Sequence, residues 1–229
     1  MTVEEAIQFA EGYLSQRRLP LPRQDAELLV SSILQKNRAF LYGHPECKLR
    51  AAQEKLFRLW LTKRGGHYPL QYLRGRQEFY GRDFIVRPGV FIPRPETEVL
   101  IEITLERLKQ YPQKQLRIAD VGTGSGCIAI TLACEDPRVN IVATDTSPKA
   151  LDVARLNADR HGCAHRIKFC LKKGLGADSS YKHFFDLILS NPPYVGRQQS
   201  HQVDLSVRKY EPSSAVFAGE SGQEVYAML

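Results

Sequence analysis

The sequence predicts an α/β protein in which a doubly wound parallel sheet follows a small all-α helical bundle. Apolar residues in the first 65 positions recur at helical spacing, which is typical of helices that share a core. From residue 116 onward, short apolar runs alternate with helical segments, and this alternation favours a parallel sheet with crossover helices. Two of these runs end abruptly, one in glycines and one in prolines, so we expect both to lead into loops.

Three amphipathic helices are predicted within residues 1–67, which we assign to the first domain. The first two helices have apolar stripes at i, i+3, i+4 and i+7 spacing, and the third has apolar residues on one face and ends at Gly65-Gly66. The stripes comprise Val3, Ala6, Ile7, Ala10, Tyr13 and Leu14; then Ala26, Leu29, Val30, Ile33 and Leu34; then Ala52, Leu56, Leu59 and Trp60.

Residues 68–93 differ in composition from the helical domain before them and are predicted to form a connector. Within them, "QEFYGRDFIV" has the aromatic and β-branched content of a hairpin that turns at Gly81. The remaining domain, 94–229, opens with a helix that Pro95, Glu96 and Glu98 suit as first-turn residues. Strands are predicted at 116–121, 141–144, 167–171 and 184–189, with helices at 125–134 and 148–160 between them. The last strand is apolar enough to be buried on both faces.

Composition excludes several classes of protein. No apolar run is long enough to span a membrane, and the acidic, amphipathic start resembles neither a secretory signal nor a transit peptide. Five cysteines without C-x-x-C spacing support neither a disulfide framework nor a metal site, so we expect a cytoplasmic protein without a metal. The net charge is +7, and residues 1–75 hold 12 Lys and Arg against 7 Asp and Glu; this basic third would suit an anionic partner or be a solvated surface.

The stretch "IADVGTGSGCIAI" carries the first chemical signal. A predicted strand runs into Gly122, Gly124 and Gly126 and then into a helix, an arrangement that lets the backbone approach a ligand closely. Cys127 stands where a dinucleotide fingerprint needs its third glycine, which weakens an interpretation as an NAD site. Asp145 ends the next strand, where a carboxylate can accept both hydroxyls of a ribose.

The stretch "FFDLILSNPPYVG" carries the second signal. Asn191 follows a predicted strand, at the sheet edge where α/β proteins bind ligands. Pro192 and Pro193 lack backbone N–H groups, so the segment can present carbonyl oxygens rigidly, while Asn191 offers an acceptor and two donors. Taken alone, this tetrapeptide is equally well explained as a turn that closes a strand.

Together, the glycine loop, the strand-end acid and Asn191-Pro-Pro-Tyr194 resemble the class I S-adenosylmethionine-dependent methyltransferases, which have a Rossmann-like sheet. In these enzymes the NPPY sequence marks those that methylate a planar, conjugated amino group. Two stretches are similar to the HemK family of release-factor glutamine methyltransferases. They are "LPRQDAELLVSSIL" in the helical domain and "GGHYPLQYLRGRQEFYGRDFIVRPGVFIPRPETEVLIE", which includes the connector and the residues on either side of it. The resemblance covers nearly the whole chain.

The resemblance implies transfer of a methyl group from S-adenosylmethionine to a glutamine amide nitrogen, in the Gly-Gly-Gln loop of a peptide-chain release factor that a helical docking domain helps to bind. We expect a monomer with no membrane partner. The implied cofactor-binding residues are Asp120, Gly122, Thr123, Gly124, Ser125, Gly126, Asp145 and Asn191. The implied substrate-binding residues are Asn191, Pro192, Pro193 and Tyr194, of which Asn191, Pro192 and Tyr194 are the implied catalytic residues.

The sequence departs from the family pattern in two places. Lys172, Lys173 and Gly174 stand where the family has an acid and a bulky residue near the adenine. The chain also ends at "GESGQEVYAML", so the sheet is expected to be incomplete, without its carboxyl-terminal strands. Two other functions stay open: an adenine-N6 or cytosine-N4 nucleic-acid methyltransferase, whose direct nucleic-acid binding we do not favour, and a non-catalytic remnant.

Overall fold

The computed structural model describes residues 1–112, 115–175, 181 and 183–226, and it divides into two compact units. The first unit, Met1–Arg74, is built from helices, as predicted, but it has four helices within residues 1–67 where three are predicted, and it holds an isolated antiparallel bridge between Thr2 and Lys48. Its helices are α1 (Val3–Gln16), α2 (Pro22–Leu34), α3 (Arg38–Gly43), α4 (Ala51–Gly65) and α5 (Leu70–Arg74). The boundary lies inside the predicted connector, whose identity as a separate segment stays a prediction.

The core of the helical unit follows two of the three predicted stripes. In α1 the buried residues are Val3, Ala6, Ile7, Ala10 and Leu14, and in α2 they include Ala26, Leu29, Val30 and Ile33. The predicted face of α4 is wrong, because Phe57 and Leu61 are buried whereas Leu59 is 52% exposed. This helix has apolar residues on two sides, and its packing against α1 and α2 selects the side that is buried.

Part of the basic charge in the helical unit is used internally. The buried carboxylate of Glu27 accepts hydrogen bonds from Arg23, Arg38 and the Tyr42 hydroxyl. Arg64 likewise donates from Nε to Asp25 Oδ2 at 2.7 Å. Three of the arginines counted in the basic third therefore neutralise buried or nearly buried acids within the fold.

The second unit begins at Gly75 with an antiparallel hairpin, β1 (Arg76–Phe79) and β2 (Arg82–Ile85), which turns through Tyr80 and Gly81. Both turn residues have positive φ angles, +51° and +70°, so the predicted turn at Gly81 is confirmed. The unit continues with α6 (Glu98–Leu108), β3 (Leu116–Val121), α7 (Cys127–Glu135), β4 (Val139–Asp145), α8 (Pro148–Arg160), β5 (Ile167–Leu171), β6 (Leu187–Ser190), α9 (Leu205–Tyr210) and α10 (Ser213–Val216).

Four parallel strands form the sheet in the order β5-β4-β3-β6. Ile118 in β3 pairs with Ile141 in β4 and with Leu187 in β6, so the central strands are in close register. The core against the sheet is built from fully buried aliphatic side chains, among them Ile101, Leu108, Leu116, Ile130 and Leu132. A parallel sheet that follows a helical unit confirms the predicted fold class.

The last strand differs from its prediction. It begins at Leu187; the preceding Phe184 lies in a turn, and Phe185 lies in neither a turn nor a strand. Asp186 fixes this start, because its N–H donates to the Arg117 carbonyl at 2.8 Å and its Oδ2 accepts the Arg117 N–H at 2.8 Å. The expected burial on both faces is also wrong: β6 lies at the edge of the described sheet, and Ile188 is 52% exposed. No helix in the described ranges combines the length and the apolar character needed to span a membrane.

Candidate active site

The carboxyl ends of β3, β4 and β6 meet at one edge of the sheet, because parallel strands all end on the same side. A cavity of about 600 Å³ opens there, which is within the usual size range of a small-molecule site. Most of the predicted site residues lie in its wall, namely Gly122, Thr123, Gly124, Ser125, Asp145, Asn191, Pro192 and Pro193. The structure thus brings together residues that are up to 71 positions apart in the sequence.

The glycines after β3 have two different structural roles. Gly124 has a φ of +58°, and a Cβ added there would meet no described atom within 4 Å. Gly126 has a φ of +83°, but its added Cβ would lie 2.7 Å from Ile130 Cδ1 and 3.2 Å from Ala154 Cβ. Gly124 therefore leaves open space for a ligand, whereas Gly126 lets α7 and α8 approach the loop. The glycine loop therefore suits a cofactor that needs close contact with the backbone.

Asp120 supports the glycine loop from behind. It is fully buried and does not lie in the cavity wall, and its Oδ2 accepts the Thr123 hydroxyl at 2.6 Å. Burial raises the pKa of Asp120 to about 6, and the negative charge of Asp145 adds to this effect. Its geometry is that of a loop support rather than of a group that contacts a ligand.

Asp145 ends β4 and joins two loops. Its Oδ2 accepts the Gly124 N–H at 2.9 Å, and its Oδ1 accepts the Ser147 N–H at 2.8 Å. Each carboxylate oxygen has a further lone pair, so both can still accept a hydroxyl from a ligand in the cavity. The carboxylate is thereby held in one orientation before any ligand binds.

Sequence reasoning missed Asn157, a fully buried residue of α8. Its Nδ2 donates to the carbonyl groups of Ser125 and Ile85, at 2.9 and 3.0 Å, and its Oδ1 accepts the Ile85 N–H at 2.7 Å. One side chain thus ties the glycine loop to β2. A polar residue on the inner side of an amphipathic helix was the available signal, since such a group must find partners inside the fold.

Asn191 lies between two cavities. A second cavity of about 230 Å³ adjoins the first, and Phe91, Thr97, Ser190 and Asn191 line both. Asn191 Nδ2 donates to Thr97 Oγ1 at 3.0 Å. Pro192 is buried, whereas Tyr194 is 59% exposed and lines only the second cavity.

Arg94 and Glu211 connect the segment before α6 to the segment after β6. The Glu211 side chain is 1% exposed, and its carboxylate accepts hydrogen bonds from the Arg94 guanidinium and from the Ile92 N–H. The residues that follow these positions, Thr97 on one side and Pro212 on the other, line the larger cavity. The ion pair therefore holds two walls of the cavity together.

Lys172, Lys173 and Gly174 also lie in the wall of the larger cavity, at the position where the sequence departs from the family pattern. The Lys172 N–H donates to the Asp145 carbonyl at 3.0 Å, and its Nζ lies 4.3 Å from the centre of the Tyr181 ring. Within the described ranges, no group of three or more His, Cys, Asp or Glu side chains is placed to hold a metal ion.

Two family models match the chain. The PrmC N-terminal domain matches residues 5–75, and the Methyltransferase small domain matches residues 82–208. Among similar proteins, the release factor glutamine methyltransferase of Koribacter versatilis is 43% identical over 229 residues, which cover 100% of this chain and 80% of that protein. The corresponding protein of Chlorobaculum tepidum is 40% identical, with 100% and 79% covered, and that of Coxiella burnetii is 40% identical, with 88% and 70% covered.

These matches extend over both compact units, and the three similar proteins are all named release factor glutamine methyltransferases. They confirm the resemblance that the glycine loop and the Asn191 segment indicated. The chain belongs to the release factor glutamine methyltransferase family.

Proposed function

We propose that this chain transfers a methyl group from S-adenosylmethionine to the side-chain amide nitrogen of a glutamine in a peptide-chain release factor, at its Gly-Gly-Gln loop. The observation that carries the proposal is the position of Asn191, in the wall shared by a cofactor-sized cavity and a smaller one. A methyl group bound on one side of this wall can meet a side chain that enters from the other side.

The larger cavity suits the cofactor. Gly122 and Gly124 leave room for close backbone contact, and Asp145 offers two oriented acceptors for ribose hydroxyls. Thr123 and Ser125 complete the loop, with Asp120 and Gly126 as its supports. When bound, S-adenosylmethionine supplies an electrophilic methyl group on a sulfonium.

The residues after β6 are assigned to the substrate. An amide nitrogen is a weak nucleophile, because its lone pair is delocalised into the carbonyl. Asn191 Oδ1 and the Pro192 carbonyl would accept its two N–H bonds, hold the nitrogen in line with the methyl group and stabilise the positive charge that develops on it. Tyr194 would pack against the plane of the amide, and Pro193 would keep the segment rigid. The nitrogen becomes acidic as it is methylated, so no strong base is needed beforehand.

Methylation of a purified release factor tests the proposal. Radiolabelled methyl transfer is measured with the wild-type factor and with a factor whose Gly-Gly-Gln glutamine is replaced by alanine. Label in the first factor alone supports the assignment, and a duplex or single-stranded nucleic acid as the preferred acceptor would favour the nucleic-acid alternative. Calorimetric titration of S-adenosylhomocysteine into the wild type and Asp145→Ala tests the cofactor half separately. A folded chain that binds no cofactor would leave the non-catalytic remnant as the better explanation.

The proposed substrate works on the ribosome, so the enzyme would meet it in the cytoplasm. We also propose that the enzyme acts as a monomer and that the helical unit contributes to docking. Sedimentation of the chain alone measures its oligomeric state, and sedimentation of its mixture with release factor measures whether the two proteins associate.

A further inference from the structure

The side chain of Asn191 is held by one described contact, its Nδ2 hydrogen bond to Thr97 Oγ1 at 3.0 Å. We infer that Thr97 is a positioning residue, which sets the orientation of the Asn191 carboxamide for methyl transfer. The inference rests on the function proposed above. It gives a role in the reaction to a residue from before α6, whereas the residues to which the proposed function gives roles follow the carboxyl ends of the strands.

Orientation matters because a carboxamide has two different sides. One side presents an oxygen that accepts, and the other presents an NH₂ group that donates. The substrate nitrogen carries two N–H donors, so it needs the oxygen side. In the structure the NH₂ group of Asn191 is engaged by Thr97, and Asn191 Oδ1 receives no hydrogen bond from any residue that the structure describes. Without the Thr97 hydroxyl, the Asn191 carboxamide loses this described anchor and can turn, and in the flipped orientation it would place donors opposite donors.

Thr97 is suited to this task because it is immobilised. It is 8% exposed and ends a short 3-10 turn, Pro95–Thr97, in which its own N–H donates to the Arg94 carbonyl at 3.0 Å. Arg94 is fixed by Glu211 on one side of the turn. On the other side, Glu98 Oε1 accepts the Tyr80 N–H at 2.9 Å. The acceptor for Asn191 is therefore held by contacts on both sides of the turn.

Four variants test the inference. Thr97→Val keeps the shape of the side chain but removes the acceptor, and Thr97→Ser keeps the hydroxyl. Thr131→Val is the matched control, because Thr131 is buried in α7 and its hydroxyl has no hydrogen-bond partner among the described residues. Thr97→Ala is a second acceptor-free variant if the valine does not fold.

Steady-state methylation of release factor and calorimetric binding of S-adenosylhomocysteine are measured for each variant. We expect Thr97→Val to lower kcat by about 10²-fold, a loss typical of misplaced reacting groups, with the affinity for S-adenosylhomocysteine unchanged. Thr97→Ser should recover most of the rate, and Thr131→Val should equal the wild type. A merely structural role would instead lower cofactor affinity and thermal stability together with the rate.

The inference is overturned if Thr97→Val and Thr97→Ala keep the wild-type kcat, or if Thr97→Ser is as slow as Thr97→Val. It is also overturned if cofactor affinity falls in proportion to the rate. Each of these outcomes leaves the proposed function standing, because the wild type still methylates release factor. A wild-type chain that binds S-adenosylhomocysteine but never labels release factor would overturn the proposed function, and this inference with it.

Discussion

Alanine at Gly124 and at Gly126 should separate cofactor binding from folding. Both positions have a positive φ, so alanine costs about 1–2 kcal/mol of backbone strain at either. At Gly126 the new methyl also lies 2.7 Å from Ile130 and 3.2 Å from Ala154, and such overpacking adds about 1–3 kcal/mol. We therefore expect Gly126→Ala to lower the free energy of unfolding by about 2–5 kcal/mol and Gly124→Ala by only about 1–2 kcal/mol.

The ligand-binding effects should rank in the opposite order. The methyl of Gly124→Ala meets no described atom within 4 Å, and Gly124 lines the larger cavity, so we expect the methyl to overlap a cofactor bound there. An overlap worth about 1.4 kcal/mol or more weakens binding at least about tenfold. Urea unfolding gives the first quantity, and calorimetric titration of S-adenosylhomocysteine at a temperature where both variants are folded gives the second. Equal stability losses in the two variants, or tighter binding by Gly124→Ala than by Gly126→Ala, would refute this reasoning.

Three further perturbations test how the site is supported. The pKa of Asp120 is raised to about 6 in the folded protein, so the stabilisation from its protonated form is complete below about pH 4 and is lost as the pH rises to 6. Relative to Asp120→Asn, urea unfolding of the wild type should therefore show a loss of roughly 3 kcal/mol in the free energy of unfolding across that window. Parallel plots of unfolding free energy against pH for the two proteins would contradict the assignment. Arg94→Met leaves the buried Glu211 carboxylate with the Ile92 N–H as its one remaining donor among the described residues, so thermal unfolding should report a loss of up to about 3–5 kcal/mol. Arg94→Met/Glu211→Gln should restore much of that loss, and no recovery in the double variant would argue against the pair. Asn157→Ala removes three buried hydrogen bonds and should lower the free energy of unfolding in urea by roughly 3 kcal/mol. Asn140→Ala is the control, because Asn140 is exposed. A smaller loss for Asn157→Ala than for Asn140→Ala would count against the role of Asn157 in tying the glycine loop to β2.

The sequence is most informative where local chemistry alone decides the structure. Val121 and Ser190 end apolar strands at glycines and at an Asn-Pro-Pro segment, and these breakers place both loops at the same edge of a parallel sheet whatever surrounds them. The αL glycine loop and the strand-end position of Asp145 follow from the same local pattern.

Long-range polar contacts could not be predicted in this way. Thr97 reaches Asn191 across 94 positions, and Asn157 reaches Ile85 across 72. Such pairs leave no periodic signal, because only the tertiary fold brings their atoms together. The face of α4 is a related case, since Leu59 and Phe57 are both apolar and only the packing partner decides that Phe57 is buried.

The Arg94–Glu211 pair constrains how related sequences can diverge. The two residues are 117 positions apart, yet a change at Arg94 alone leaves the Glu211 carboxylate buried without its charge partner, and a change at Glu211 alone leaves the 27% exposed Arg94 side chain without its counter-ion. Substitutions tolerated during evolution should therefore come in compensating pairs, for example a neutral residue at both positions. Positions 94 and 211 both lie outside the glycine loop and the Asn-Pro-Pro-Tyr segment, so a search confined to those motifs would overlook the correlated pair entirely.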